Sequence, residues 1–468
     1  MDISALILAR IQFAFTVSFH IIFPSFTIGL AAFIATLLVR WRLGGESHFL
    51  CLARFWTKIF AVSFAMGVVS GLVLSYQFGT NWARFSTATG NVLGPLIGYE
   101  VLTAFFLEAS FLGIMLFGWN RVSPNLHVLS AVLVAIGTSV SAFWILAANS
   151  WMHTPSGHEL RNGIAYPLSW IEIIFNPSFP YRFAHMFTAA YLTTSLVVLA
   201  VGARYLIQRK YEVEAKTMLR MGLGMVAWLA PLQLIIGDLH GLNTKDHQPA
   251  KLAAIEGHWN SNKPADFLLF ALPNKENNGN EYEIRFPISG LASFIITHDF
   301  NGTFKGLNDF DQQKRPPIIP VFFSFRIMLA LGILMIGIGS IGSYLWIKGR
   351  LFENRFYLGS VQYMWPMGFI AILAGWWVTE TGRQPWLATG IIQTADAISP
   401  AVTAPAILTT LILFVIIYTA TFSMGVYYIN RLINKGPGGS AVKPSEGMPS
   451  RPISAAEAAA REAILGAT

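Results

Sequence analysis

Charge is scarce in this chain. Only 12% of its 468 residues are Asp, Glu, Lys or Arg, while 54% are hydrophobic. Mean hydropathy is +0.52. Soluble domains carry about 25% charge, so a soluble globular fold is excluded and a polytopic membrane protein is indicated. Cysteine is nearly absent. A single Cys51 rules out disulfides, thiolate copper centres, iron–sulfur clusters and covalent Cys-x-x-Cys-His haem attachment. Any haem is therefore expected to be non-covalent. Met1–Arg10 has neither a basic n-region nor a small-residue cleavage site, so the first span is expected to stay. The net charge of +8 is small for this length. It suits cytoplasmic loops beside anionic lipid and points away from nucleic acid.

Long apolar runs are plentiful. Windows able to cross about 30 Å of hydrocarbon occur at 10–38, 57–78, 96–118, 126–148, 184–206, 219–237, 320–347, 358–379 and 404–431. The expected fold is all-α, with about nine transmembrane helices. Basic residues gather in alternate loops: Arg40, Arg42, Arg54 and Lys58; then Arg204, Arg209, Lys210, Lys216 and Arg220; then Lys348, Arg350 and Arg355. The positive-inside rule places the N-terminus outside and the C-terminus in the cytoplasm. The chain thus divides into spans one to six (1–237), a polar outer loop (238–319), spans seven to nine (320–434) and a largely disordered tail (435–468). Within the loop, 274–283 reads as a mobile tip and Ala292–Thr297 as a short strand. A last helix is expected near 455–465.

Against this background, five potential metal ligands stand out within spans: His20, Glu100, His185, Met328 and Glu380. Ionisable groups at the centre of a membrane helix cost roughly 2.5–3.5 kcal/mol each on insertion scales, so they are rarely kept without a role. The expected topology puts all five in the outer half of the bilayer. His185 and Met328 open different spans at similar depth, as two axial ligands of one haem must. Arg326, two residues before Met328, could neutralise a propionate. The plainer alternative is an interfacial His and a lipid-facing Met. Glu100 and Glu108 lie eight residues apart on one helix, a rise of roughly 12 Å and about 80° beyond two turns. Carboxylates in series mark a proton relay, or else protonated groups that bond neighbouring helices. His20 precedes Pro24, which can bend a helix around a cofactor; a buried His bonded to a neighbour is the alternative. The run Trp376-Trp377-Val378-Thr379-Glu380-Thr381-Gly382-Arg383-Gln384-Pro385-Trp386 places an aromatic pair, a carboxylate and an arginine at a span end. These fit a haem edge at Trp376, a ligand at Glu380 and a propionate clamp at Arg383. An aromatic belt with a charge pair explains less of it. In the loop, Lys251 and Glu256 sit beside apolar residues and could hold a quinol head and accept its proton; a solvated helix turn is the alternative.

These motifs closely resemble the large subunit, subunit I, of the cytochrome bd quinol oxidases. The matching segments are Arg10-Ile-Gln-Phe-Ala-Phe with His20, Gln77-Phe-Gly-Thr-Asn-Trp82, Glu100 with Ala104-Phe-Phe-Leu-Glu108, Trp144-Ile-Leu-Ala-Ala-Asn149, Gly237-Asp238, Lys251-Leu-Ala-Ala-Ile-Glu256, Phe325-Arg-Ile-Met328, and Gly375-Trp with Glu380-Thr-Gly-Arg-Gln-Pro-Trp386. They recur in order along nearly the whole chain. The resemblance implies a terminal oxidase of the bacterial inner membrane. It would oxidise quinol at the outer face and reduce O2 to water at a high-spin dihaem site, building a proton gradient without pumping. It implies a low-spin haem b on His185 and Met328. A high-spin haem b and a haem d, or a further haem b in its place, would share His20, Glu380 and Glu100. Arg10, Trp376, Arg326 and Arg383 would contact cofactors; Lys251, Glu256 and Asp238 would meet quinol; Glu108 and Ser141, with Glu100, would carry protons from the cytoplasm. A second membrane subunit, with or without a single-helix peptide, is the implied partner. The outer loop is short for the family, as in its cyanide-insensitive members.

Three rival readings explain less. A haem–copper oxidase needs several histidines, including adjacent ones, whereas this chain has ten and no His-His pair. A transporter would use Glu100 and Glu108 but leave Arg326, Met328 and the Gln-Pro-Trp run idle. A cytochrome b confined to electron transfer has no use for His20, Glu100 and Glu380.

Overall fold

The computed structural model describes residues 4–440 except 262–263 and 275–277. Among the described residues, eight helices are long and apolar enough to cross a membrane, or nine if one bent pair forms a single span. In order they are α1 (Ala5–Gly44), α2 (Ser47–Thr80), α3 (Ala83–Glu100), continued through a π turn at Val101–Phe105 into α4 (Phe106–Phe117), and α5 (Pro124–His153). A hairpin of β1 (His158–Arg161) and β2 (Ile164–Pro167) and the short α6 (Trp170–Ile174) lead to α7 (Phe179–Ile207) and α8 (Glu212–His247). The loop holds α9 (Pro249–Glu256), β3 (Leu268–Asn274), β4 (Gly279–Arg285) and α10 (Leu291–Thr297). Then follow α11 (Ile318–Ile347), α12 (Arg355–Val361) bent by 42° from α13 (Pro366–Gly382), the strands β5 (Trp386–Ala388) and β6 (Ile392–Gln393), and α14 (Ala404–Lys435). Local chemistry sets several ends. Ser123 caps α5 and Pro124 occupies its first turn, where a missing N–H costs nothing. Gly45, at φ 72°, closes α1 in the left-handed conformation.

The all-α expectation and the span number hold, with three corrections in the loop. The expected tip is shorter than 274–283: Asn274 ends β3 and Gly279–Arg285 is β4, paired as an antiparallel hairpin, while 275–277 lie outside the described residues. Ala292–Thr297 is helical, because Gly290 and His298 at positive φ bracket about two turns that bury Ala292, Ser293 and Ile296 at helical spacing. The β-branched Ile295, Ile296 and Thr297 had suggested a strand, an ambiguity inherent to short apolar runs. Finally, α8 continues ten residues past Gly237, because its polar end still satisfies helical hydrogen bonds. Asp238 is therefore helical, and the loop proper begins at Gln248. The helix expected near 455–465 lies outside the described residues.

α7 is the axis of the bundle. Of its apolar window 78% is buried, against 11% for α14. Neighbouring helices approach it where they lack a side chain. A Cβ on Gly29 of α1 would lie 2.5 Å from Thr194 Oγ1, and one on Gly368 of α13 2.7 Å from Thr193 Cα. A Cβ on Gly222 of α8 would meet Ser195 O at 2.9 Å and Leu199 N at 3.0 Å. Small residues let helix backbones close without a hydrophobic drive, which lipid does not supply. Backbone atoms cannot swing aside. Gly222→Ala should therefore destabilise the protein by about 1–3 kcal/mol, the cost of overpacking. Gly224→Ala, with nothing within 4 Å, should be near neutral. Thermal denaturation in detergent measures both; equal midpoints would mean that the α7–α8 contact is slack.

Candidate functional site

α7 and α11 both pack on α8 and on α13. The two expected axial ligands face glycines on these shared neighbours. The His185 ring lies where a Cβ on Gly237 of α8 would come within 3.3 Å, and Met328 Sδ where one on Gly375 of α13 would come within 2.9 Å. His185 Nδ1 is buried without a partner among the described residues. Arg326, one half-turn from Met328, donates to Glu256 Oε2 at 3.0 Å and to Leu268 O at 2.7 Å. Its guanidinium also lies over Phe267 and Phe322. One arginine thus joins the loop carboxylate to the neighbourhood of Met328.

Glu380 is the centre of a buried polar cluster. Arg383 donates to Glu380 Oε2. Asn149 Nδ2 donates to Oε1 at 3.0 Å, and His153 Nε2 stands 3.3 Å from the same oxygen. Arg182 donates to Asn149 and lies 4.0 Å from the carboxylate. The chain of contacts continues into the loop. Gln248 Nε2 lies 3.4 Å from His153 Nδ1, and Lys251 Nζ donates to Gln248 Oε1 at 3.3 Å. Lys251 packs so closely on α13 that a Cβ on Gly382 would lie 2.8 Å from its Cγ. Burial pushes the Lys251 ammonium well below its ordinary pKa; Arg182 and Arg383 push the same way and Glu380 opposes. A neutral amine can accept a proton. Lys251 and Glu256 are both buried on α9, which removes the solvated-turn alternative.

His20 faces α2. Its Nδ1 is 3.0 Å from Ser70 Oγ, and a Cβ on Gly71 would lie 3.1 Å from its Cε1. Glu100 accepts from Ser141 Oγ at 2.7 Å. Glu108 is buried against α5, its Cγ 2.7 Å from where a Cβ on Gly137 would be. Gly137 and Ser141 are one turn apart on α5, so both carboxylates face the same helix. The π turn at Val101–Phe105 explains this. It takes up one extra residue, so eight residues turn through about 700° and the expected 80° offset closes to ~20°. Glu108 Oε1 has no partner among the described residues.

Among the described residues, no three His, Cys, Asp or Glu side chains converge to hold a bare metal ion. His20, Glu100 and Glu380 stand on separate walls, which suits a group that brings its own ring donors. The donor set fits haem in a second way. Arg182 Nε, Arg326 Nη1, Arg383 Nε and Arg383 Nη1 are buried donors without protein partners among the described residues. Such groups are costly unless a ligand meets them, and propionate carboxylates are suitable acceptors. Three expected residues stay apart from the clusters. Arg10 is exposed near the start of α1; Trp376 is half-buried with its ring against Trp377; Asp238 pairs with His298 at 3.1 Å. The sequence reading missed His153, Gln248 and His240, whose ring lies 5.8 Å from that of His185. It ended the fourth span at 148. Had the helix been carried one turn further, His153 would have fallen on the face of Asn149.

Residues 8–437 match the family described as cytochrome bd terminal oxidase subunit I. The cytochrome bd ubiquinol oxidase subunit 1 of Bacillus subtilis (strain 168) is 34% identical over 446 residues, covering 92% of this chain and 94% of that protein. The cytochrome bd-II ubiquinol oxidase subunit 1 of Escherichia coli (strain K12) is 31% identical over 500 residues, covering 92% and 96%. The solved bd oxidase from Geobacillus thermodenitrificans superposes with a TM-score of 0.83 at 30% identity, covering 92% of this chain and 99% of that one. The chain belongs to the cytochrome bd terminal oxidase subunit I family.

Proposed function

We propose that this chain is the haem-bearing subunit of a quinol:O2 oxidoreductase in a bacterial inner membrane, working with a second membrane subunit and with or without a single-helix one. Quinol is oxidised at α9, on the outer face set by the positive-inside rule. Bound haems supply the electron transfer and the reduction of O2 to water. His185 and Met328 hold a low-spin haem b. His20, Glu380 and Glu100 hold a high-spin pair, one haem b and one haem d or a second b. Arg326, Arg383 and Arg182 hold propionates, with Arg10 and Trp376 at haem edges. Lys251 and Glu256 bind the quinol head and take its protons, and Asp238 stands nearby on α8. Protons for water come from the cytoplasmic side through Glu108, Ser141 and Glu100, so charge separates across the membrane without a pump.

The observation that carries this reading is the Glu256–Arg326 pair. It puts a loop carboxylate in direct contact with an arginine two residues from the axial methionine. Glu256→Gln should slow quinol-dependent O2 uptake by about tenfold, equivalent to ~1.4 kcal/mol. Uptake driven by artificial donors that reduce the haems directly should persist. Equal loss with both donors would reject the division of labour.

Two further outcomes test the other assignments. Met328→Leu should convert the low-spin spectrum to a high-spin one and lower the midpoint potential, because the thioether favours the reduced state. An unchanged low-spin band in the reduced-minus-oxidised spectrum would place the ligand elsewhere. Glu108→Gln should keep the low-spin spectrum but slow turnover by at least about tenfold, since an amide of the same shape cannot hand on a proton. Proton uptake, followed with a pH dye after flash-initiated O2 reaction, measures this directly. A wild-type rate would make Glu108 a packing group only.

A further inference from the structure

The loop hairpin has an inverted surface. Phe270 pairs with Ile284 and Leu272 with Tyr282, and residues opposite one another in an antiparallel pair share a face. The bulge between Leu268 and Phe270 turns Leu268 to the other face, beside Ala271. On that inner face Leu268 and Ala271 are buried, closing on Phe322 of α11. The same face also carries Glu283 and Arg285, paired at 2.8 Å. On the outer face Phe270, Leu272, Tyr282 and Ile284 are between 37% and 57% exposed, and the one carboxylate beside them, Glu281, bonds Asn274 at 2.6 Å at the far end of the hairpin. A half-solvated antiparallel sheet presents polar residues to water. This hairpin presents aromatic and aliphatic ones.

Its position indicates what covers that face. The Phe270 ring packs against Phe323 of α11, with centroids 5.4 Å apart. Phe323 belongs to the row Ile319, Phe323, Ile327, spaced four residues apart along one side of a membrane span. Ile319 and Ile327 are half exposed. The hairpin face therefore continues the exposed apolar side of α11. It is also tied to α9 and to Arg326. Asn280 Nδ2 donates to Gly257 O at 3.0 Å, Trp259 Nε1 donates to Asn280 Oδ1 at 2.8 Å, and Leu268 O accepts from Arg326.

We propose that the apolar face of β3–β4 is an interfacial membrane anchor. It lies in the headgroup–acyl boundary of the outer leaflet, against phospholipid, and holds α9 at the depth of quinol headgroups. Aromatic residues with one polar end, such as Tyr282, favour that layer. The anchoring stands on the hairpin alone; its role towards α9 rests on the quinol reading above.

The test uses the complete oxidase in phosphatidylcholine–phosphatidylglycerol liposomes, in a Cys51→Ser background. A solvatochromic maleimide is attached through Tyr282→Cys or, as an aqueous control, Lys305→Cys. The label at 282 should emit to the blue, be quenched by lipids spin-labelled near the headgroup, and resist iodide. The label at 305 should behave in the opposite way. Iodide access at 282 equal to that at 305 overturns the anchor. Protection from both quenchers also overturns it, and assigns the face to a protein partner. Ile284→Glu should raise the KM for a long-chain quinol in liposomes several-fold, with haem spectra unchanged and the KM for a short-chain soluble quinol unaltered. If lipid quenching is observed but KM is unmoved, the anchor stands and its depth-setting role is wrong.

Discussion

A carboxylate inside a helix bundle must be met by donors, and the arrangement around Glu380 shows how far that requirement reaches. Arg383 comes from the same helix, Asn149 and His153 from α5, and Arg182 from α7 through Asn149. A lone buried charge in low dielectric costs several kcal/mol, whereas a fully bonded one does not. Three spans are therefore held in one register by a single acid. The same network reaches the loop through Gln248 and Lys251, so α9 is placed by buried polar contacts as well as by the packing of Leu252–Ile255.

The arginines around this network are bonded on one side only. Arg182, Arg326 and Arg383 each keep at least one buried donor without a protein partner among the described residues. Their spare capacity, together with glycines where His185 and Met328 need room, is the mark of a site shaped for a planar, anionic-edged group. The close helix contacts on α7, made through Gly29, Gly222 and Gly368, give those side chains a rigid frame. Preorganisation of this kind is what a redox site needs, since ligand geometry and burial set its potential.

Further along α5, the π turn in the third span does a different task. Without it, Glu100 and Glu108 would point to different neighbours; with it, both meet α5 at Ser141 and Gly137. A π turn lies at a functional position often enough that its coincidence with two intramembrane carboxylates supports a shared path.

The sequence by itself determined the class of protein, the spans and the family. Charge scarcity, apolar length and the order of motifs are local properties, and lipid enforces helices wherever they occur. His185 and Glu380 stood out because each is an expensive residue in an apolar span, whereas Met328, Lys251 and Glu256 stood out only through their neighbours and the family's motifs. Only the tertiary structure decided which of them meet. The pairing of Glu256 with Arg326 spans 70 residues, and that of His153 with Glu380 spans 227. No periodicity encodes contacts at such separations. The loop was misread for a related reason. In β3–β4 and α10, short segments take their conformation from the helices they cover, and local propensity is too weak to decide between strand, tip and turn. The single extra residue of the π turn was likewise invisible, because it changes the direction of a helix face without changing its composition.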